Sequence, residues 1–173
     1  MRKKSVAFIF GVFLVLTAGL AVVSKATADE LPSSAPLFAA TLNDLDDKPI
    51  ALTRYRGKPL VVNFWARWCA PCRAEIPELI KFRTANKGKI EVLGIGIEDQ
   101  AEPAKEFANT HEMNYPAFIA KDKGIPLMQA LGNTRGALPY TLFIDRRGRV
   151  IHKKLGLLRK ADLDVAQGAL LKE

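Results

Sequence analysis

The chain has only two cysteines, Cys69 and Cys72, and they stand in a C-x-x-C spacing. An apolar run, Leu60–Trp65, precedes them and reads as a buried strand. Cys72, Ile76, Leu79 and Ile80 then recur at intervals of three and four, the period of a helix with one apolar stripe. Cys69 therefore falls where a strand turns into a helix. The first amides of a helix lack internal partners, and the aligned peptide dipoles place partial positive charge there. A thiolate at that spot is stabilised, so Cys69 is expected to have a depressed pKa and to be the attacking sulfur. Cys72, one turn on, falls on the apolar stripe and is expected to be shielded. The pair reads as a redox couple with a division of labour.

Other uses of the same two residues fit less well. A structural zinc site needs four ligands, and beyond the cysteines only His111 and His152 remain, far away in sequence. No metal site is expected. Copper carriers on related folds use C-x-x-x-C with a histidine, and the spacing here is one residue short. A purely structural disulfide across so short a loop would restrict the unfolded chain little. Peroxidases of related fold carry the reactive cysteine in a threonine-containing loop, without a C-x-x-C at the helix start.

The 173 residues leave room for one domain, and two cysteines do not make a disulfide scaffold. Residues 1–28 stand apart. Arg2, Lys3 and Lys4 form a basic n-region, residues 6–23 are uncharged and largely apolar, and Ala26-Thr27-Ala28 offers an A-x-A cleavage site. The apolar run approaches the length that spans a bilayer, and Lys25 sits unusually close to the cleavage site. Signal peptide and retained N-terminal membrane anchor both remain open. In either case the rest of the chain is expected on the outer side of the cytoplasmic membrane, as periplasmic or membrane-attached protein. The formal charge is +8, of which Arg2, Lys3, Lys4 and Lys25 supply four with no acid among residues 1–28, leaving +4. That modest excess, clustered at Arg146, Arg147 and Arg149 and at Lys153 and Lys154, reads as a solvated hairpin face, and no nucleic-acid role is expected.

Residues 29–36, with two prolines and two serines, read as a linker, and residues 37–173 as the domain. Residues 37–42 and 50–52 flank a polar turn and suggest a β-hairpin. A short 3₁₀ turn follows at 53–57, then the central strand at 58–65 and the helix to Ala85, closed by Asn86-Lys87-Gly88. Pro77 inside that helix predicts a kink. Further elements are a strand at 90–97, a helix at 102–111, a short strand at 117–120, a short helix at 124–131, an antiparallel hairpin at 141–145 and 149–153, and a closing helix at 159–171. Strands alternating with helices and ending in a hairpin and a helix imply an α/β mixed central sheet with helices on both faces.

Three stretches together resemble the bacterial extracytoplasmic thioredoxin-like thiol–disulfide oxidoreductases of the TlpA/ResA/DsbE type: N-F-W-A-R-W-C-A-P-C-R-A-E-I-P at 63–77, V-L-G-I-G-I-E at 92–98, and L-P-Y-T-L-F-I-D-R-R-G-R-V-I at 138–151. The resemblance implies a thioredoxin-like fold with an N-terminal β-hairpin and a central helix–strand insertion, for which residues 101–131 are long enough. It implies that Pro139 forms a cis bond facing the cysteines, that Leu138 offers its backbone to an extended substrate peptide, and that Tyr140 and Trp68 help to line that groove, Trp68 by packing beside Cys69. It also implies that Glu75, three residues after Cys72, exchanges protons with the pair. Cytosolic thioredoxins carry a buried aspartate in the central strand; Asn63 stands there and cannot take up a proton in this range.

The implied mechanism needs no cofactor beyond the redox-active Cys69–Cys72 disulfide. The resemblance implies reduction of specific protein disulfides, for example in cytochrome c maturation, by a monomer that draws electrons from a membrane thiol transporter of the DsbD/CcdA type. A disulfide-forming oxidase and a non-catalytic metal-binding module of the same fold are the alternatives.

Overall fold

The computed structural model describes residues 31–172, so the expected export segment at 1–28 lies outside the described residues. The elements run α1 (Ala35–Ala39), β1 (Thr41–Asp44), β2 (Pro49–Ala51), a 3₁₀ turn (Leu52–Tyr55), β3 (Leu60–Trp65), α2 (Ala70–Ala85), β4 (Glu91–Gly96), α3 (Ala101–Thr110), β5 (Ala117–Ile119), a second 3₁₀ turn (Lys121–Lys123), α4 (Gly124–Ala130), β6 (Tyr140–Ile144), β7 (Val150–Leu155) and α5 (Lys160–Leu170). One seven-stranded sheet has the order β2-β1-β5-β4-β3-β6-β7. β3, β4 and β5 are parallel, and β6 lies antiparallel against the other side of β3. The expected insertion is α3, β5 and α4, and β5 extends the sheet between β4 and β1.

All six residues of β3 are buried, because helices cover both faces of a sheet that is parallel at its centre. The faces follow the two-residue period of a strand. Val62 and Phe64 join Leu93, Ile95 and Leu142 beneath Leu37 and Phe38 of α1 and Leu127 and Met128 of α4. Val61 points the other way, with Leu79 and Phe82 of α2 and Leu163, Ala166 and Leu170 of α5. Trp65 continues that second face under α3, next to Ala104, and its ring stacks on Phe107 with centroids 5.0 Å apart.

The N-terminal region differs from the expectation. Residues 37–39 belong to a helix, and the hairpin strand starts only at Thr41. Pro36 is tolerated in the first helical turn, and consecutive Leu37 and Phe38 are both fully covered, which a strand with one exposed face does not allow. Ala35 and Pro36, expected in a linker, are the first residues of α1, and the buried Ser34 donates its hydroxyl hydrogen to the Gly148 carbonyl. The hairpin turn closes on the Asp44 carboxylate, which accepts the amides of Asp46 and Lys48 at 2.9 Å each. α2 runs on through Pro77 to Ala85.

The centre tolerates no extra volume at Gly94. A Cβ there would stand 3.1 Å from Trp65 Nε1 and 3.2 Å from Tyr115 Cε2. Gly94→Val is expected to destabilise the fold by about 1–3 kcal/mol, read as a lowered urea midpoint with an unchanged m value.

Candidate active site

Cys69 is the N-cap of α2. Its backbone is extended, with φ −85° and ψ 101°, and its Sγ accepts the Cys72 amide hydrogen at 3.2 Å. The strand-to-helix junction thus aims an unpartnered amide and the positive end of the helix at this sulfur, the arrangement that favours a thiolate once the bond is reduced. Cys69 and Cys72 are joined as a disulfide. Cys72 is shielded as expected, at 1% exposure, and Cys69 at 5% is nearly as covered. Both pack with Trp65, Ala66, Ala104 and Ile119, and Leu138 closes over the same cluster.

One turn into the helix, Glu75 is fully buried. Its Oε1 accepts from the Asn63 amide at 2.6 Å, and its Oε2 accepts from the Leu158 N–H at 2.7 Å. Burial pushes the carboxyl up to about 7, against the pull of the Leu158 and Asn63 hydrogen bonds. Asn63 also donates to the Thr141 hydroxyl at 3.0 Å, which fixes the direction of its side-chain amide. Sequence reasoning took Asn63 only as a group unable to hold a proton and missed that it holds the group that can. The available signal was a lone polar residue in an apolar strand. Burial, with the Glu75 charge adding to it, also pushes the Tyr115 phenol far up.

A second missed residue is Glu98, just past the end of β4. Its buried carboxylate accepts the Arg67 amide at 2.6 Å and pairs with the Arg67 guanidinium at 3.1 Å. Arg73 of α2 donates to the Arg67 carbonyl at 2.9 Å. In the loop that carries Trp68 up to Cys69, Arg67 is therefore held through its amide, its guanidinium and its carbonyl.

The residues around the disulfide divide into two groups. The Leu138–Pro139 bond is cis, Leu138 packs against the cysteine cluster, and the Pro139 carbonyl accepts the Gly156 amide at 2.9 Å. Trp68 leaves 71% of its surface in solvent; it stands out beside the loop instead of packing down as expected. Tyr140 does not line a groove. It is 2% exposed, its ring packs near Phe64 on the α1/α4 face, and its hydroxyl donates to the Leu131 carbonyl at 2.7 Å. The strand period explains the correction: Asn63 pairs with Thr141 and Phe64 with Tyr140, so Thr141 takes the Glu75 side and Tyr140 the opposite one. The two histidines sit on different elements, His111 stacked on Phe107 and His152 against Phe143.

Strand order, helix placement and a disulfide capping the helix after the central strand define a thioredoxin-like protein with thiol–disulfide chemistry. The AhpC/TSA family matches residues 32–153, and the chain belongs to that family. It is 32% identical over 141 residues to a protein of Geobacillus thermodenitrificans named thiol-disulfide oxidoreductase ResA, covering 81% of this chain and 78% of that one. A protein of the same name from Bacillus cereus is 29% identical over 171 residues, 95% of each chain. Among solved structures, a thiol:disulfide interchange protein of the thioredoxin family from Chlorobium tepidum superposes with a TM-score of 0.66 at 29% identity, covering 85% of this chain and all of that one. The chain is a thiol–disulfide oxidoreductase.

The Glu75 value of about 7 lies above the ordinary 4.5, so between these pH values the unfolded chain releases a proton that the folded chain keeps. The contribution of Glu75 to stability is full below about pH 4.5, falls as pH rises through 7, and levels off above. The difference corresponds to about 3 kcal/mol. Glu75→Gln is expected to remove this slope, seen as urea midpoints that no longer decline between about pH 5 and 7.5.

Proposed function

We propose that the chain reduces specific disulfides of protein partners outside the cytoplasmic membrane. Cys69 is the attacking thiolate, Cys72 the resolving thiol and Glu75 the proton acceptor. The observation that carries the reading is the buried Glu75 carboxyl one helical turn beyond a cysteine pair that caps α2. With a pKa of about 7 it can gain and lose a proton under working conditions.

In the first step the Cys69 thiolate attacks a partner disulfide, forming a mixed disulfide and expelling one partner thiolate. Cys72 then gives its proton to Glu75 and attacks Cys69 Sγ. The mixed disulfide breaks, the second partner thiolate leaves and takes up a proton, and the Cys69–Cys72 bond closes. Two electrons from a membrane thiol transporter of the DsbD/CcdA type return the pair to the dithiol. Leu138 and Pro139 present the edge along which a partner strand runs, and Trp68 supplies an exposed aromatic wall beside it. A cytochrome precursor that must be reduced before haem attachment is one substrate of this kind. The apolar N-terminal segment, with its basic start, supports export and leaves the protein in the periplasm or at the outer face of the cytoplasmic membrane; among the described residues no helix is long and apolar enough to cross a membrane. The monomer is the proposed working form.

Cys72→Ala expressed in the native cell is expected to accumulate covalent adducts through Cys69 that dithiothreitol releases, and the trapped proteins identify substrate and direction. In the reduced wild type, Cys69 is alkylated before Cys72; peptide mapping with the reverse order overturns the assignment. Glu75→Gln keeps the fold and slows reduction of the trapped substrate at least about tenfold at neutral pH, with its pH profile displaced; wild-type rates and profile return Glu75 to a structural role.

A further inference from the structure

A proton on Glu75 poses a problem that the charged form does not. As a carboxylate, Glu75 only accepts hydrogens, and both partners give them: Asn63 Nδ2 to Oε1 at 2.6 Å and the Leu158 amide to Oε2 at 2.7 Å. As a carboxylic acid it carries an O–H of its own, fully buried with the rest of the side chain. A buried donor left without an acceptor is costly. The Leu158 N–H belongs to the main chain and is a donor only. The Asn63 side chain differs, because its amide has a donor end and an acceptor end. Half a turn exchanges the two ends with almost no change of shape.

The second partner of Asn63 decides whether that turn is tolerated. Nδ2 also donates to Thr141 Oγ1 at 3.0 Å. Asn63 and Thr141 are both buried, so solvent cannot replace a lost partner there. A hydroxyl, however, accepts or donates by rotating its hydrogen. With the amide turned, the two acceptor sites of Asn63 Oδ1 take the Glu75 O–H and the Thr141 O–H together. The three side chains therefore have two complementary hydrogen-bond patterns, one for the charged acid and one for the neutral acid.

The ionisable groups around them leave this role to Asn63 and Thr141. Cys72, one turn earlier on α2, is the proton source in the mechanism above. Tyr115, in the loop before β5, is buried, and burial pushes its phenol further up, with the Glu75 charge adding to the effect. Lys154 of β7 stands opposite Thr141, but its amine is bound to Asp162 of α5 at 3.0 Å.

We propose that Thr141 is a positioning residue for the disulfide reaction: its hydroxyl holds Asn63 in the donating orientation while Glu75 is ionised and in the accepting orientation once Glu75 has taken a proton. The inference rests on Glu75 being the proton acceptor, as proposed above. When Cys72 attacks Cys69 Sγ, the Cys72 proton passes to Glu75 and its electron pair forms the new S–S bond. Asn63 then turns and Thr141 rotates its hydrogen, and no proton passes through either. The reverse turn resets the site when Glu75 gives the proton up.

The turn is read by nuclear magnetic resonance on the oxidised chain as the cell exports it, in which no thiol titrates. Contacts from the Asn63 side-chain amide hydrogens to the Glu75 γ and Thr141 β hydrogens are expected at about pH 9 and lost at about pH 5, with the midpoint of the Glu75 carboxyl carbon. Glu75→Gln, whose side-chain NH2 takes the place of the acid O–H, should show the turned state at both pH values. Thr141→Val keeps the shape but leaves the second Asn63 hydrogen unpaired only when Glu75 is charged. It is expected to raise the Glu75 midpoint by about one pH unit. The reaction is followed with the reduced chain and dithiobis(nitrobenzoate), whose second thiol is released when Cys72 closes on Cys69. In Thr141→Val that release should slow about fivefold near neutral pH and recover above about pH 9, and Thr141→Ser should restore the wild-type profile. A slower release or a lower urea midpoint without displacement of the pH profile overturns the proposal. So do Asn63 contacts that persist at both pH values in the wild type, a measurement that stands whether or not Thr141→Val folds; a slow Glu75→Gln then still keeps Glu75 as acceptor. Wild-type release in Glu75→Gln overturns both readings.

Discussion

A single desolvated carboxylate ties the working end of the molecule together. Glu75 belongs to α2, its first donor Asn63 to β3, Asn63's other partner Thr141 to β6, and its second donor, the Leu158 amide, to the loop before α5. Removing a carboxylate from water is costly unless hydrogen bonds replace the lost hydration. Two donors offset part of that cost, and the remainder appears as the elevated affinity for a proton. The elements cannot shift independently without leaving either an unpaired carboxylate or an unpaired amide in the core. The same contacts that hold α2 against the sheet therefore set the height at which its first turn, and the disulfide capping it, emerges from the end of β3.

The rest of the site is built in the usual manner of parallel sheets, on segments that leave the strand ends. Glu98 follows β4 and grips the loop after β3; Leu138 precedes β6 and covers the cysteines; Ala104 and Phe107 of α3 back Trp65. Loops tethered to a rigid scaffold at several points can present reactive groups with little freedom. Here the tether on Arg67 is a buried acid that the C-x-x-C motif alone gives no reason to suspect.

What was legible in the chain beforehand was local. The apolar run into Cys69, the helical spacing after it and the glycine-bounded hairpin of β6 and β7 are short-range patterns, and each element stands where its pattern places it. Residues 37–39 of α1 look like strand, and Ala35 and Pro36 like linker, because Leu37 and Phe38 carry no period in so short a run; only the covering sheet face reveals that both are inside. Tyr140 and Thr141 show a different limit. Which of two adjacent residues faces α2 depends on the register of β6 against β3, a long-range fact, and a slip of one residue exchanges their roles. Family resemblance drew attention to Glu75, but the donors that set its proton affinity come from positions 12 and 83 residues away.

The sheet's two free margins have a bearing on how the protein behaves at high concentration. β2 and β7 are the outermost strands, and an uncovered strand is a template on which a second chain can add its own. β2 is three residues long and starts with Pro49, too short and too poor in donors to nucleate such growth. β7 is longer, but it carries the exposed His152 and the half-covered Lys153 and Lys154, and its register against β6 is irregular between Phe143 and Ile144. A lysine-bearing, locally disrupted margin resists edge-to-edge stacking. A thiol–disulfide oxidoreductase thus has sheet borders that do not invite indiscriminate and lasting adhesion.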